Sequence, residues 1–414
     1  MSNIICIYED QNYKNLLPLV YFRPVYDLKC GVSTLREKIE KQYKKAEVIL
    51  NCRKYLENSL TEKFPDRRVN QFDGEKILFI NGRILVDGPL RKVMTIDGDD
   101  ALFITDNEVV GARLSGDNIR VLANAEDEFL QFAQFKKLPK IEVTVKVIGY
   151  PWDLVNNNGE MITEDIKWMR KPTRPVKTRG VHCLKQSKIY LERNVEIKPN
   201  VVLDAEKGPI YISEGVTIYP NVYIQGPVFI GANSVIKANA AIYHDTTIGE
   251  MCKVGGEIEN SIIHSYSNKQ HEGFLGHAYL GSWINIGAST NNSDLKNNYG
   301  NITVLLNGEK VDTGSQFVGL MMGDHSKTAI NTMFNTGTVV GAACNVFGAG
   351  FPKRYLPSFA FGGCDLMRTN TLKQALEVAE IVMQRRKIKM SDVQKELFEK
   401  VFELTSDERK KFLK

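Results

Sequence analysis

The chain has 414 residues, 43% of them hydrophobic, which is enough to bury more than one core and long for a single domain. Its 54 lysines and arginines stand against 49 aspartates and glutamates, a net charge of +5 with no long basic run; nucleic acid is a poor partner for such a surface, whereas phosphates and other charged small molecules remain open. The seven cysteines form no CxxC pair, and the opening MSNIICIYEDQNY meets acidic residues too early for a signal segment, so a soluble cytoplasmic protein with reduced thiols and no membrane span is expected.

From the N-terminus onward, the strand-like runs NIICIYE, AEVILN, KILFING and ALFITD alternate with helix-like runs, among them STLREKIEKQY with Ser33 or Thr34 near its N-cap. The alternation predicts an α/β domain over residues 1–168. MRKPTRPVKTRG, with prolines among basic residues, opens a linker over 169–184.

The clearest pattern follows it. Ile212, Ile218, Ile224, Ile230, Ile236, Ile242, Ile248 and Val254 stand six apart without a miss, and small or β-branched residues such as Val216, Val222, Ser234, Ala240 and Cys252 precede them by two places. Such spacing is a β-solenoid of hexapeptides: each step makes a short strand and a turn, and the aliphatic residue points into the coil. The same column appears in Leu191, Ile197 and Leu203, slips phase across 204–212, and returns in Phe334, Val340 and Val346. The solenoid is therefore placed at 185–365, with insertions between about 257 and 325 that are the expected place for a binding site. Beyond 366 a helical tail begins, with Leu372, Ala375, Leu376, Val378, Ala379 and Ile381 at helical spacing. Its charged end, SDVQKELFEKVFELTSDERKKFLK, reads as a solvated helix.

The segment YSNKQHEGFLGHAYLGSWINIGASTNNSDLKNNYG, residues 266–300, resembles the acetyltransferase domain of the bifunctional sugar-1-phosphate uridylyltransferase/acetyltransferase family, nearest its archaeal and Bacteroidetes-type relatives. The motif residues are His271, Phe274, Leu275, Gly276 and Asn285-Ile286-Gly287-Ala288, and the likeness continues through 301–331. It implies a left-handed parallel β-helix, a homotrimer, and acetyl transfer from acetyl-CoA to glucosamine-1-phosphate. By motif position His271 is the general base, Asn285 and Phe274 meet the acceptor sugar, and the Ala288 backbone faces the acetyl-CoA thioester. Lys269 and Lys296, the nearest basic residues, are candidates for the sugar phosphate. The chemistry suits a histidine, because an ammonium has no lone pair to attack a thioester and an imidazole with a pKa of about 6.5 takes up a proton near neutrality. His277 is the rival base. A packed polar histidine and an asparagine ladder inside the coil are the structural alternatives for His271 and Asn285.

LLPLVYFRPVYDLKCGVSTLREK, residues 16–38, resembles the nucleotidyltransferase domain of the same Bacteroidetes-type proteins. The resemblance implies Arg23, Gly31, Arg36 and Lys38 as triphosphate contacts, with the helix N-terminus after Ser33 adding a favourable dipole. GYPWDLVNNNGE, 149–160, is similar to a stretch of archaeal nucleotidyltransferases and puts Asp153 and Asn158 forward as Mg²⁺ ligands. Departures accompany the likeness. Asn81-Gly82-Arg83 stands where ordinary members place a metal-binding aspartate, Glu257 and Glu259 stand where a lysine is expected, and Phe274 lacks a tyrosine hydroxyl. Three function classes follow: a bifunctional enzyme making UDP-N-acetylglucosamine, a single-activity transferase with the other domain degenerate, or a non-catalytic trimeric scaffold.

Overall fold

The computed structural model describes residues 3–123, 128–169, 171–172, 179–364 and 366–412. The N-terminal unit is built on a mixed sheet of seven strands. Ile4–Tyr8 lies between Glu47–Asn51 and Lys76–Asn81, parallel to both, and Glu108–Ser115 then runs antiparallel to Lys76–Asn81. All four strands expected from the sequence form. The central ones are apolar throughout because both faces are covered, as in IICIY, where every residue is buried. The expected helix spans Leu35–Gln42, and Thr34 caps it in a reciprocal capping box with Glu37.

The expected linker gives way early to the solenoid. Its residues 170 and 173–178 lie outside the described residues, and His182–Leu184 already pairs with Val202–Asp204 as the first solenoid strand. From there the chain winds as a parallel β-helix with three sheets. The first begins at His182–Leu184 and ends at Phe274–Gly276; the second runs from Ile189–Leu191 to Tyr355–Leu356. The third runs from Glu196–Ile197 to Asn268–Lys269, then through Asn285 to Lys327–Thr328 and Asn345–Phe347. Ile210 pairs with Val228 and Val228 with Thr246, so one coil is three hexapeptides. The aliphatic column from Ile212 to Val254 is fully buried, as the spacing requires. At the corners Asn194, Asn200, Asn221, Asn233 and Asn239 adopt left-handed backbone with φ between +56° and +62°, a conformation asparagine tolerates better than most residues. This six-residue corner geometry is typical of a left-handed β-helix. The phase slip at 204–212 is a loop that lengthens one coil, and the main insertion is the hairpin Thr303–Leu306 with Glu309–Asp312.

The tail departs from the expectation of a solvated helix. Helices Leu372–Gln384, Asp392–Leu404 and Ser406–Phe412 fold back, and Leu397, Phe398 and Val401 are buried. The charges of this segment occupy the outer side of a helix whose apolar stripe faces inward. Nor do the units have separate cores. One apolar cluster joins Tyr26 and Leu78 of the N-terminal unit to Tyr279 and Met321 of the solenoid and to Phe398 and Val401 of the tail. Among the described residues no helix is long and apolar enough to cross a membrane and no disulfide forms, with Cys6, Cys30, Cys52, Cys252 and Cys344 buried.

Candidate active site

The segment that carries the acetyltransferase motif winds through two successive coils. Asn268–Lys269 is a strand of the third sheet and Phe274–Gly276 a strand of the first. Lys269 pairs with Val254 and Phe274 with Glu257, so the later coil has two more residues at this corner than the earlier one. His271 and Glu272 are on that bulge, both exposed. The next coil passes under it: the Ser289 N–H donates to the Glu272 carbonyl at 3.2 Å, and the Asn291 side chain accepts from the Phe274 N–H at 2.7 Å. The fold thus brings His271, Phe274, Asn285 and Ala288 to one edge of the solenoid, where the third sheet turns into the first.

His277 stands on the following edge, with φ +46°. Its Nδ1 is 2.8 Å from Asp294 Oδ2, and its ring stacks on Phe317 at 4.9 Å between centroids. Asp294 and Phe317 come from the insertion, so no local spacing could have announced this pair.

The two lysines singled out for the phosphate are otherwise engaged. Lys269 occupies the aliphatic column, 1% exposed, and its ammonium donates to the carbonyls of His271 at 2.6 Å, Glu272 at 3.2 Å and Gly255 at 3.3 Å. Burial draws its pKa down to about 8. Lys296 donates to the Asn301 carbonyl. A different set of cations flanks the motif. Lys253, Asn268, Asn285 and Lys327 are register partners in neighbouring strands of the third sheet and so form one outward row. Arg386 of the tail donates to Asn268 Oδ1 at 2.8 Å. Burial and the charges of Arg386, Lys237 and Arg385 lower the Lys253 pKa, and burial takes Lys327 down to about 8. No carboxylate forms an ion pair with Lys253, Lys327 or Arg386 among the described residues. The row was legible in principle, since each member precedes a column residue by one place.

In the N-terminal unit the residues put forward for the triphosphate do not form a cradle. Arg23 is ion-paired with Asp324 of the solenoid and donates to Ser282 Oγ at 3.2 Å. Arg36 holds Asp27 at 2.7 Å and Glu40 at 2.9 Å. Burial works to raise the Asp27 carboxyl, but Lys63 and Arg36 outweigh it and hold it below the ordinary value. Gly31 has φ +76°, as the tight turn requires, yet its N–H donates to Asn158 Oδ1 at 2.7 Å. The expected anion site at the helix N-terminus exists and is filled from within: Asp165 Oδ2 accepts from the N–H groups of Val32 at 2.9 Å and Ser33 at 3.1 Å, and pairs with Lys38.

Nor do Asp153 and Asn158 suit a magnesium ion. Asp153 Oδ2 caps its own helix through the N–H groups of Gly149 and Tyr150 at 2.8 and 2.9 Å, and burial raises its pKa. Asn158 is fully buried and bonds Gly31, Thr247 and the Asp245 carbonyl, a rivet between the N-terminal unit and the solenoid.

What sequence reasoning missed lies at the carboxyl ends of the central strands. The strand order reverses direction between Ile4–Tyr8 and Lys76–Asn81, the point where open α/β sheets bind ligands. There Asp10, 20% exposed, accepts from Asn81 at 2.7 Å and from Arg83 at 2.6 Å, and Arg83 also pairs with Glu108.

Residues 5–173 match the family model described as sugar nucleotidyl transferase. Curated relatives share the theme: the chain is 30% identical over 195 residues to "Bifunctional protein GlmU" of Methanococcus vannielii, a stretch covering 47% of this chain and 41% of that protein. It is 27% identical over 200 residues, 48% of this chain and 44% of the other, to "Bifunctional sugar-1-phosphate nucleotidylyltransferase/acetyltransferase" of Sulfurisphaera tokodaii. Over these stretches the chain is similar to both proteins. To the Bartonella bacilliformis protein of the same kind it is 28% identical over 154 residues, 35% of this chain and 34% of that one. The chain spans less than half the length of these relatives. Among solved structures, an Arabidopsis UDP-N-acetylglucosamine acyltransferase aligns over 56% of this chain and 82% of its own, at 15% identity and a TM-score of 0.27; a likeness that low adds nothing to the fold described above.

Proposed function

We propose that the protein is a bifunctional cytoplasmic sugar-phosphate transferase, moving an acetyl group from acetyl-CoA to glucosamine-1-phosphate at the solenoid edge and joining the acetylated product to UTP in the N-terminal unit, with UDP-N-acetylglucosamine and pyrophosphate as products. One observation carries the reading: Lys253, Asn268, Asn285 and Lys327 form one row along the third sheet, which turns into the edge that bears His271, Arg386 donates to Asn268, and none of these cations is ion-paired to a carboxylate among the described residues. Such a row attracts the phosphates that both substrates of acetyl transfer carry.

In this scheme His271 takes the proton of the sugar amine as nitrogen attacks the thioester carbonyl. Asn285 orients the acceptor, and a backbone group at Ala288 lies on the edge where the oxyanion forms. The thiolate of coenzyme A leaves. His271 is exposed on the bulge, next to the equally exposed Glu272. A second reading places the base at His277, because the bond from Asp294 fixes that imidazole in the tautomer a general base needs. The exposed edge also explains why a homotrimer suits the site: a single narrow coil cannot enclose a sugar and coenzyme A, so neighbouring coils would complete the walls.

For nucleotidyl transfer the reading turns to Asp10, Asn81 and Arg83, because they stand at the reversal of strand order with Asp10 20% exposed, although the Arg83 charge, like those of Arg23, Arg36 and Lys38, is matched within the chain. The test is an assay of the purified protein with glucosamine-1-phosphate, acetyl-CoA, UTP, dTTP and Mg²⁺, reading free thiol and pyrophosphate separately. Both signals are expected from the wild type, and Asp10→Asn should remove pyrophosphate release alone. Thiol release without pyrophosphate from any nucleotide reduces the protein to a single-activity acetyltransferase; neither signal leaves a scaffold.

A further inference from the structure

A third edge of the solenoid, where the second sheet turns into the third, is covered by the N-terminal unit and the tail. Between them lies a cavity of about 530 Å³. Phe22, Tyr266, Trp283 and Phe398 supply its rings, and His264, Ser282 and His325 its innermost polar groups. Tyr266, Trp283 and His325 are left-handed corner residues of successive coils, with φ +66°, +63° and +61°, and they stack along the edge: Tyr266 on Trp283 at 4.4 Å, Trp283 on His325 at 6.1 Å. We propose that this cavity is a binding site for a neutral, hydroxyl-bearing ring compound, a sugar or a nucleoside lacking phosphate.

Two buried atoms point to a ligand. His325 Nδ1 has no hydrogen-bond partner among the described residues although the side chain is buried, 8% exposed, and His264 Nε2, on an equally buried ring that also meets the Asp27 backbone, has none of good geometry. An orphaned buried polar atom is unfavourable, and a hydroxyl reaching it from the cavity would satisfy it. The rest of each ring is fixed: His264 Nδ1 is 3.3 Å from Ser282 Oγ, and His325 is held between Trp283 and the edge-on ring of Phe398 at 4.8 Å. Burial pushes both histidines well below their ordinary range, so both imidazoles are neutral, each with a donor and an acceptor. Hydroxyls, which do both, complement that pair.

The charges in the wall select against an anion. Arg23 is consumed by Asp324 and Lys63 by Asp27 at 2.7 Å, while Glu62 and Glu250 add negative charge and form no ion pair among the described residues. Phosphate therefore has no partner here, unlike the outward row of the third sheet. The site is on a different edge from His271 and does not depend on the acetyl-transfer reading.

Binding is measured on the full-length protein by calorimetry and by tryptophan emission, with N-acetylglucosamine, uridine and inorganic phosphate as probes. Either N-acetylglucosamine or uridine should bind saturably and shift the emission, and phosphate should do neither; which of the two binds tells a sugar site from a nucleoside site. Trp283→Phe should abolish the emission change, leaving Trp152 and Trp168 silent, while the calorimetric signal persists. His325→Phe and His264→Gln should each weaken binding on the order of tenfold with the melting transition retained. If neither ring compound binds at millimolar concentration, or if both variants bind as the wild type does, the cavity is a water-filled junction only and the proposal fails. Phosphate binding on its own would overturn it as well.

Discussion

Cations in the N-terminal unit and cations on the third sheet of the solenoid differ in one respect that separates scaffold from site. Arg53, 0% exposed, forks onto Glu9 with both contacts at 3.1 Å and donates to the carbonyls of Val20 and Arg23. Arg36 meets Asp27, and Lys38 meets Asp165. Each charge is answered inside the chain and has nothing left to offer a phosphate. Lys253 and Lys327 are half-buried with no carboxylate ion-paired to them among the described residues; burial and the charges of Arg386, Lys237 and Arg385 lower the Lys253 pKa, and burial alone lowers that of Lys327, whose ammonium donates to the His325 carbonyl at 2.8 Å. A fold keeps unmatched positive charge together at a cost in stability, and a ligand that supplies the missing negative charge gives that arrangement a use.

Breaking a matched pair should have the largest effect. Arg53→Ala leaves the Glu9 carboxylate buried and alone, and should lower unfolding free energy by about 3–5 kcal/mol in urea titrations, abolishing both activities through loss of structure. Lys253→Ala, on the unmatched row, should stay within about 0.5 kcal/mol of the wild type. Equal stability losses would erase the distinction. Next in size, Lys327→Met should raise KM for glucosamine-1-phosphate on the order of tenfold with kcat nearly unchanged, because the ammonium serves binding in the ground and transition states alike. A fall in kcat at constant KM would place Lys327 in the chemistry instead. The smallest effect is a pH dependence. Lys327 carries its proton below about 8 and loses it above, so KM should climb as pH passes from 7.5 to 9 and level off at lower pH. Lys327→Met should flatten that component of the profile, and an unchanged profile in the variant assigns the titration to another group.

The solenoid was legible because its interior repeats: a column that buries one aliphatic residue every sixth place, from Ile212 to Val254, leaves a mark no loop can mimic. His271, Asn285 and Ala288 were put forward by their resemblance to a motif, and the coil brings them to one edge with His271 on a bulge that breaks the six-residue step. The junction was not legible, since pairs such as Arg23 with Asp324 and Asn158 with Thr247 join residues far apart in sequence. Arg23, Arg36 and Lys38 had the right chemistry for a triphosphate, and only the fold shows that Asp324, Asp27 and Asp165 reach them first. The tail failed for a simpler reason. From Ser391 onward charges outnumber apolar residues, yet Leu397, Phe398 and Val401 fall on one helical face, and that face decides where the helix goes.

The claim that the His271 edge is an acetyl-transfer site is tested most directly by thiol release from acetyl-CoA in the presence of glucosamine-1-phosphate, comparing His271→Ala with His277→Ala at neutral pH. His271→Ala should lose on the order of 10²–10⁴-fold in turnover while its melting transition stays put, with partial rescue at higher pH where more of the sugar amine is already neutral, and His277→Ala should lose much less. Full turnover in His271→Ala with a dead His277→Ala would move the base to the Asp294-bound imidazole on the next edge; full turnover in both would contradict the assignment of acetyl transfer to this part of the solenoid.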